Sequence, residues 1–303
     1  MKVKAKLFMG ALAIILVVTA LGAVWQHQRY LQVRRQILGD RQEFIYPGKT
    51  FHALTLVKVG PGRSLIDGLR SFRRLIESPG GGHVVYAGQV GVAAVTSKQL
   101  SNDWSGLLLT QFPSREAYDE YSARDEVRAG LARFDNTYTH GVVRPAAMNL
   151  ALVQGLGLLR LADIVRRAPS SFPFVPAGDD ARPEQKAKMQ EMEQLDALRG
   201  VCENAVVIFN LIKPGNAEQR KADRSYARQM MSGMAEGGYG PMHMGRAVTI
   251  EGDASFEDFA AVYYPGINFV QQMIGSTFMS RIGGGKQLGD SLALITVPIL
   301  SQL

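Results

Sequence analysis

The apolar and polar positions of this chain spell out one unit that occurs twice: an apolar run, a Pro/Gly break and a capped helix. In the first copy, His52–Val59 predicts a strand, and Gly60-Pro61-Gly62 ends it. Ser64 stands at an N-cap position, and Leu65, Ile66, Leu69, Phe72, Leu75 and Ile76 follow at helical spacing. Ser78 to Gly82 closes that helix. His83–Val95 and Ser105–Phe112 predict a second and a third strand. Pro113 stops the third strand. Ser114 then caps a helix that starts at Arg115–Tyr121 and continues, with a break, to Phe134. Thr137–Arg144 is the last strand, closed by Pro145. The order is βαββαβ, the split βαβ or ferredoxin-like pattern, with one antiparallel sheet and both helices on one face.

The second copy starts at Ala205–Ile212. Asn216 caps its first helix, with Gln219 at the capping-box position. Ala222, Tyr226, Met230, Met231 and Met234 continue one helical face. Met242–Ile250 and Phe256–Tyr264 predict strands, Ile267–Arg281 a helix, Gly283 to Gly285 a break, and Ser291–Leu300 the final strand. The landmark pairs Pro61/Pro214, Pro113/Pro265 and Pro145/Pro298 lie at a nearly constant spacing. Such a register predicts an internal duplication, as from a fused homodimer. On the same spacing Tyr86 corresponds to Tyr239.

The rest of the chain does not follow the unit. Leu7–Trp25 is nineteen residues without a charge, about the length that crosses a bilayer core. It predicts a membrane anchor contacting the lipid bilayer; a cleaved signal peptide is the alternative. Residues 26–43 read as a polar helix leading away from it. The net charge of +7 sharpens this reading, because residues 1–50 hold eight basic and only two acidic residues. A basic excess that flanks an apolar segment points to a membrane surface and not to nucleic acid. The expected place is a bacterial-type inner membrane with the bulk of the chain outside the cytoplasm; with a cleaved peptide the protein would be periplasmic or secreted. Between the copies, Met148 to Val165 predicts a helix along the outside of the two domains, with an interfacial amphipathic helix as alternative. Pro169–Pro183 is extended, and Glu184–Arg199 reads as a charged, solvated helix. The expected units are 1–50 (anchor and polar helix), 51–145 (first repeat), 146–203 (linker) and 204–303 (second repeat). Cys202 is the only cysteine, so no intrachain disulfide forms.

HALTLVKVGPG, HVVYAGQV and WSGLLLTQFPSREAYDEY resemble the dimeric α/β-barrel superfamily. Within it they are similar to small domains of the DUF1330 type, in which a strand ending in FPS leads into a helix with Tyr at the AY position. The resemblance covers Phe51–Pro145 well and Ala205–Leu300 poorly. It implies an α+β fold, two ferredoxin-like repeats packed sheet against sheet into one intrachain barrel; the anchor reading of Leu7–Trp25, which the resemblance does not cover, adds one transmembrane helix before it. It also implies that small molecules or haem can bind between sheet and helices. Members range from quinol-forming monooxygenases to haem-degrading enzymes, so the fold alone does not give the activity.

The chain holds no P-loop, dinucleotide fingerprint, H-E-x-x-H or nucleophile elbow. The candidate ligand-binding residues are His83, Tyr86, Trp104, Tyr239 and His243. Tyrosine hydroxyls can orient a polar group and a histidine can move a proton near neutral pH. Against this, both tyrosines can anchor strand starts, and Trp104 and Asp103 read first as packing and turn residues. Met242-His243-Met244 invites a copper or haem reading. On a strand, however, the methionines face one side and His243 the other, which favours methionine core packing. His52 and His140 read as isolated, structural or exposed residues, and Cys202 receives no role. No metal is expected; haem on His243 is the one cofactor kept in view. The function expected is a membrane-anchored small-ligand or docking module of a membrane complex, with other subunits as partners. The alternatives are a cofactor-independent oxygenase or isomerase on a quinone-like or lipidic substrate, or a haem-binding barrel. Whether the chain is an enzyme is left open.

Overall fold

The computed structural model describes residues 9–22, 24, 25, 28, 32, 51–96, 100–144 and 147–303. The first four strands are β1 (Phe51–Lys58), β2 (His83–Val95), β3 (Gly106–Phe112) and β4 (Asn136–Val143). The other four are β5 (Val206–Lys213), β6 (Gly240–Thr249), β7 (Asp258–Tyr264) and β8 (Asp290–Pro298). They close into one barrel in the order β1-β3-β2-β8-β5-β7-β6-β4, antiparallel throughout. Each half thus contributes a four-stranded sheet with the same internal order. The halves meet at two seams, β2 with β8 and β4 with β6.

The continuous apolar strands now have a cause. All seven residues of β3, GLLLTQF, are buried, because one face fills the barrel and the other is covered by helices. The cover on the first half is α1 (Leu65–Ile76), α2 (Arg115–Ser122) and α3 (Asp125–Leu131). Leu69, Phe72 and Ile76 of α1, with Tyr118 and Tyr121 of α2, pack on Phe51, Ala53, Val84 and Phe112. The Ser64 hydroxyl accepts from the Asp67 amide at 3.2 Å and that of Ser114 from the Ala117 amide at 3.2 Å, so both expected N-caps form.

Between the halves run α4 (Ala147–Val165) and α5 (Pro183–Glu193), followed by a 3-10 turn at Gln194–Leu198. The second half is covered by α6 (Ala217–Gly237), α7 (Ile267–Ile274) and α8 (Thr277–Ile282). Asn216 and Gln219 form the full capping box of α6. Gly238 ends that helix in the left-handed conformation at φ 71°, where a side chain would be strained.

Two expectations need correction. The single helix expected at 267–281 is two, because Gly275 ends α7 and the Ser276 hydroxyl recaps α8 at the Met279 amide. The solvated reading of 184–199 fails at its C-terminal end, where Met192, Leu195 and Leu198 are buried. Gly91, beside a bulge in β2, makes the space: a Cβ there would lie 2.7 Å from methyls of Leu195 and Leu198. Among the described residues no helix is long and apolar enough to cross a membrane, and the anchor expected at 7–25 falls partly outside them. The expected span is helical and exposed over 9–22, and its residues 7, 8 and 23 lie outside the described set. Apart from 28 and 32, so does the expected polar helix at 26–43.

Candidate functional site

Strand alternation sends His52, Leu54 and Leu56 of β1 into the barrel and Phe51, Ala53 and Val57 toward the helices. Register then gathers polar residues around His52. It lies across from Gln111 on β3 and from Val142 on β4, and Arg144 follows on the same face of the chain. From the far side of the β4–β6 seam comes His243. A bulge between Pro241 and His243 turns it inward, the use that bulges have in re-aiming side chains. The two imidazoles meet edge to face, with ring centroids 4.5 Å apart. Phe259 closes the other side of His243 at 5.3 Å. The Arg144 guanidinium, 1% exposed, donates to the Met242 carbonyl at 3.4 Å.

Electrostatics follow from this burial. Desolvation first, and the Arg144 charge second, lower the His52 pKa to about 3. His243 is held well below its ordinary value by burial, by His52 and by Arg144. Both rings are neutral at pH 7 beside a fixed cation. Neither ring nitrogen of His52, nor the Gln111 Oε1, has a hydrogen-bond partner, although all are buried. Such groups are uncommon in native interiors and call for an explanation. Nearby on β4, His140 receives or donates one bond with the Tyr138 hydroxyl at 3.0 Å, stacks on that ring, and is lowered to about 4 by burial. Chemically, the cluster offers proton acceptors next to a guanidinium, a set suited to an acid and its anion.

The sequence candidates scatter. His243 is in this cluster. Tyr86 also faces the interior, but at the other seam, where its hydroxyl bonds Thr296 at 2.8 Å and burial pushes its pKa up. A ladder of rings, Tyr86–Phe209–Phe259–His243–His52, with centroids 4.5 to 6.1 Å apart, joins the two ends. Tyr239 lies outside the barrel between α6 and α7, packed on Tyr264 and Phe269, with its hydroxyl on the Met273 sulfur at 3.8 Å. His83 is on the surface beside Glu77 at 3.3 Å. Trp104 is a core residue, at the opposite end of β3 from Gln111, in the wall of a surface cleft of about 390 Å³ with Asp103, Glu191 and Gln194. Asp103 pairs with Lys58.

Two readings are overturned here. Tyr86 does not correspond to Tyr239. Tyr86 pairs with Leu109 and His243 with Ala261, each beside a bulge, so Tyr86 and His243 are the matching positions. His52 and His140 are neither isolated nor exposed; both are fully buried, and His52 is in the cluster. The missed residues were His52, Gln111 and Arg144. Their signal was phase: in HALTLV the histidine alternates with Leu54 and Leu56, which places it on the buried face.

Met242 does turn away from His243 into the methionine-rich core with Met230 and Met234. Among the described residues, no three His, Cys, Asp or Glu side chains come together as a metal site. Haem on His243 would be held through a ring nitrogen, whose lone pair lies in the plane of the imidazole; His52 and Phe259 pack at right angles to that ring, with centroids 4.5 and 5.3 Å away.

No family model matches the chain, so the narrower DUF1330 likeness gains no second support, and no curated protein matches it. Among solved structures the chain is similar to an anthrone oxidase-like protein, with 8% identity and a TM-score of 0.45 over 84% of this chain and 93% of that one. It is also similar to a mutant chlorite dismutase from Candidatus Nitrospira defluvii, with 9% identity and a TM-score of 0.43 over 87% of this chain and 98% of that one. The closed eight-stranded barrel is established by the strand pairing itself, and matches this distant bear on nothing else.

Proposed function

We propose that the chain is a small-ligand barrel whose interior end takes an organic weak acid, a phenol, enol or quinol, and accepts its proton. The observation that carries this reading is His52: two buried ring nitrogens without a partner, against His243 and close to the Arg144 charge. The acid would bind with its proton. The imidazole takes the proton, and the anion sits against the guanidinium, which raises the imidazole pKa from its low resting value. Such an anion is the species that ketonises in an isomerase or reacts with oxygen in a cofactor-independent oxygenase. The reading prefers that chemistry over a docking role, since docking uses the outer surface and gives no reason for ionisable groups inside. The likeness of the two halves fits a fused pair in which one end kept the polar set.

The test is an absorbance titration with 1-naphthol, whose anion absorbs at longer wavelength than the neutral phenol. At pH 7 the bound ligand is expected as the anion. His52→Gln or Arg144→Gln should weaken binding about 10- to 100-fold, the worth of a charge-assisted hydrogen bond. Oxygen uptake with a naphthohydroquinone then separates oxygenase from isomerase. A panel of phenols and hydroquinones that neither binds nor moves the His52 and His243 ring resonances would assign the cluster to folding alone.

A further inference from the structure

A second feature is independent of the barrel interior. Helix α4 is apolar on opposite faces. Leu152 and Leu156 are buried, and on their side Asp163 bonds Ser232 of α6 while Arg160 approaches Glu236 at 3.6 Å. The other side carries Leu158, Leu161, Ile164 and Val165, which are 57%, 47%, 59% and 75% exposed. At about 100° per residue these four fall within one arc of about 120°. One side of α4 packs on α6 and β6, and an exposed apolar row of this kind on the other side marks a surface of contact.

We propose that this face of α4 lies on a lipid bilayer. Two observations choose lipid over another protein. The same chain carries a second exposed apolar helical stretch, 9–22, with side chains such as Ile14, Leu16 and Val18 more than 60% exposed. The α4 row also runs directly into Arg166 and Arg167, both exposed, which suit anionic headgroups. A helix with one side packed on α6 and an exposed apolar row on the other, beside basic residues, has the geometry of a helix lying in the interface. The topology gives this contact a consequence. Arg144 of the interior cluster directly follows β4 and is separated from α4 by two residues, so the docked helix would hold that end of the barrel near the lipid phase.

The experiment uses the full chain in nanodiscs of phosphatidylcholine and phosphatidylglycerol. Cys202→Ser removes the native thiol, and Leu161→Cys carries a bimane label. Asp125→Cys on α3, whose native side chain is 98% exposed, is the control. The label at 161 is expected to emit in the blue and to lose most of its intensity when the acyl chains are brominated, while that at 125 does neither. Blue emission without quenching would overturn the proposal in favour of a protein cover: a second copy if the shift is lost on dilution, a segment of the same chain if it is not. Red, unquenched emission would place the face in water and overturn it as well. None of these outcomes depends on whether the interior cluster binds a phenol.

Discussion

The two ends of the barrel interior occupy matching strand positions and solve the same problem differently. At the β2–β8 seam, Tyr86 bonds Thr296 at 2.8 Å, and Thr296 donates to the Val207 carbonyl at 2.8 Å. At the β4–β6 seam, the positions that match Tyr86, Val207 and Thr296 hold His243, His52 and Val142. The first set is hydrogen-bonded and neutral, and contributes to stability. The second holds two imidazoles beside a cation, and the His52 ring nitrogens are left without partners. A buried unsatisfied group costs about 1–3 kcal/mol, and valine at the same place in the other half avoids the cost. The shorter seam carries the costlier set: β4 and β6 pair only over His140–Val143, whereas β2 and β8 pair from Gly88 to Val95. The fold therefore does not require the histidine cluster, and its place at the weaker seam suits an end that must part to admit a ligand.

Acid should break this comparison most strongly. His52 and His140 titrate at about 3 and about 4 in the folded protein, with His243 also far down, against about 6.5 in an unfolded chain. The unfolded state thus binds more protons below pH 6.5. The stability from keeping these rings neutral is complete above that pH and is lost as pH falls toward 4. Each ring adds a slope of about 1.4 kcal/mol per pH unit, so the three together lose on the order of 6 kcal/mol between pH 6.5 and 5. That is comparable to the whole stability of an ordinary domain. Urea midpoints at the two pH values should show it, and His52→Gln should flatten the slope by about a third. Tyr86→Phe should leave the slope unchanged, because burial holds Tyr86 neutral throughout that range.

Much of the strand and cap pattern was readable in the residues, and little of the cluster. The strands could be placed to within a residue or two because runs such as HALTLVK and GLLLTQF are apolar on both faces. The caps at Ser64, Ser114 and Asn216 were readable because the side chain and the amide it accepts from are three residues apart. The cluster was not. Its members come from β1, β3, β4 and β6, and the pairing of β4 with β6 joins residues about a hundred positions apart. Proline landmarks gave a nearly constant spacing between the copies, yet Phe51 matches Val206, Phe112 matches Tyr264 and Tyr86 matches His243. The spacing changes from strand to strand because the connecting turns differ in length. Tyr239 was therefore aligned with Tyr86 by its distance in sequence, where strand register assigns His243. The solvated reading of 184–199 failed for a related reason: only the receding backbone at Gly91 makes Leu195 and Leu198 core residues.

Two smaller effects sharpen the comparison within the neutral seam. Thr296→Val installs the side chain found at the matching position, Val142, and removes the hydroxyl that the buried Tyr86 hydroxyl bonds. The expected loss is about 1–3 kcal/mol in chemical denaturation. Tyr86→Phe removes the other end of the same bond, but Thr296 keeps its donation to Val207, so nothing buried is orphaned and the loss should be about 1 kcal/mol. The double variant should therefore be at least as stable as Thr296→Val alone, because it removes the hydroxyl that has lost its bond to Thr296. If it is instead less stable by the full Tyr86→Phe increment, the two groups act independently, and the contrast between this end and the one that holds the unpartnered His52 nitrogens is lost.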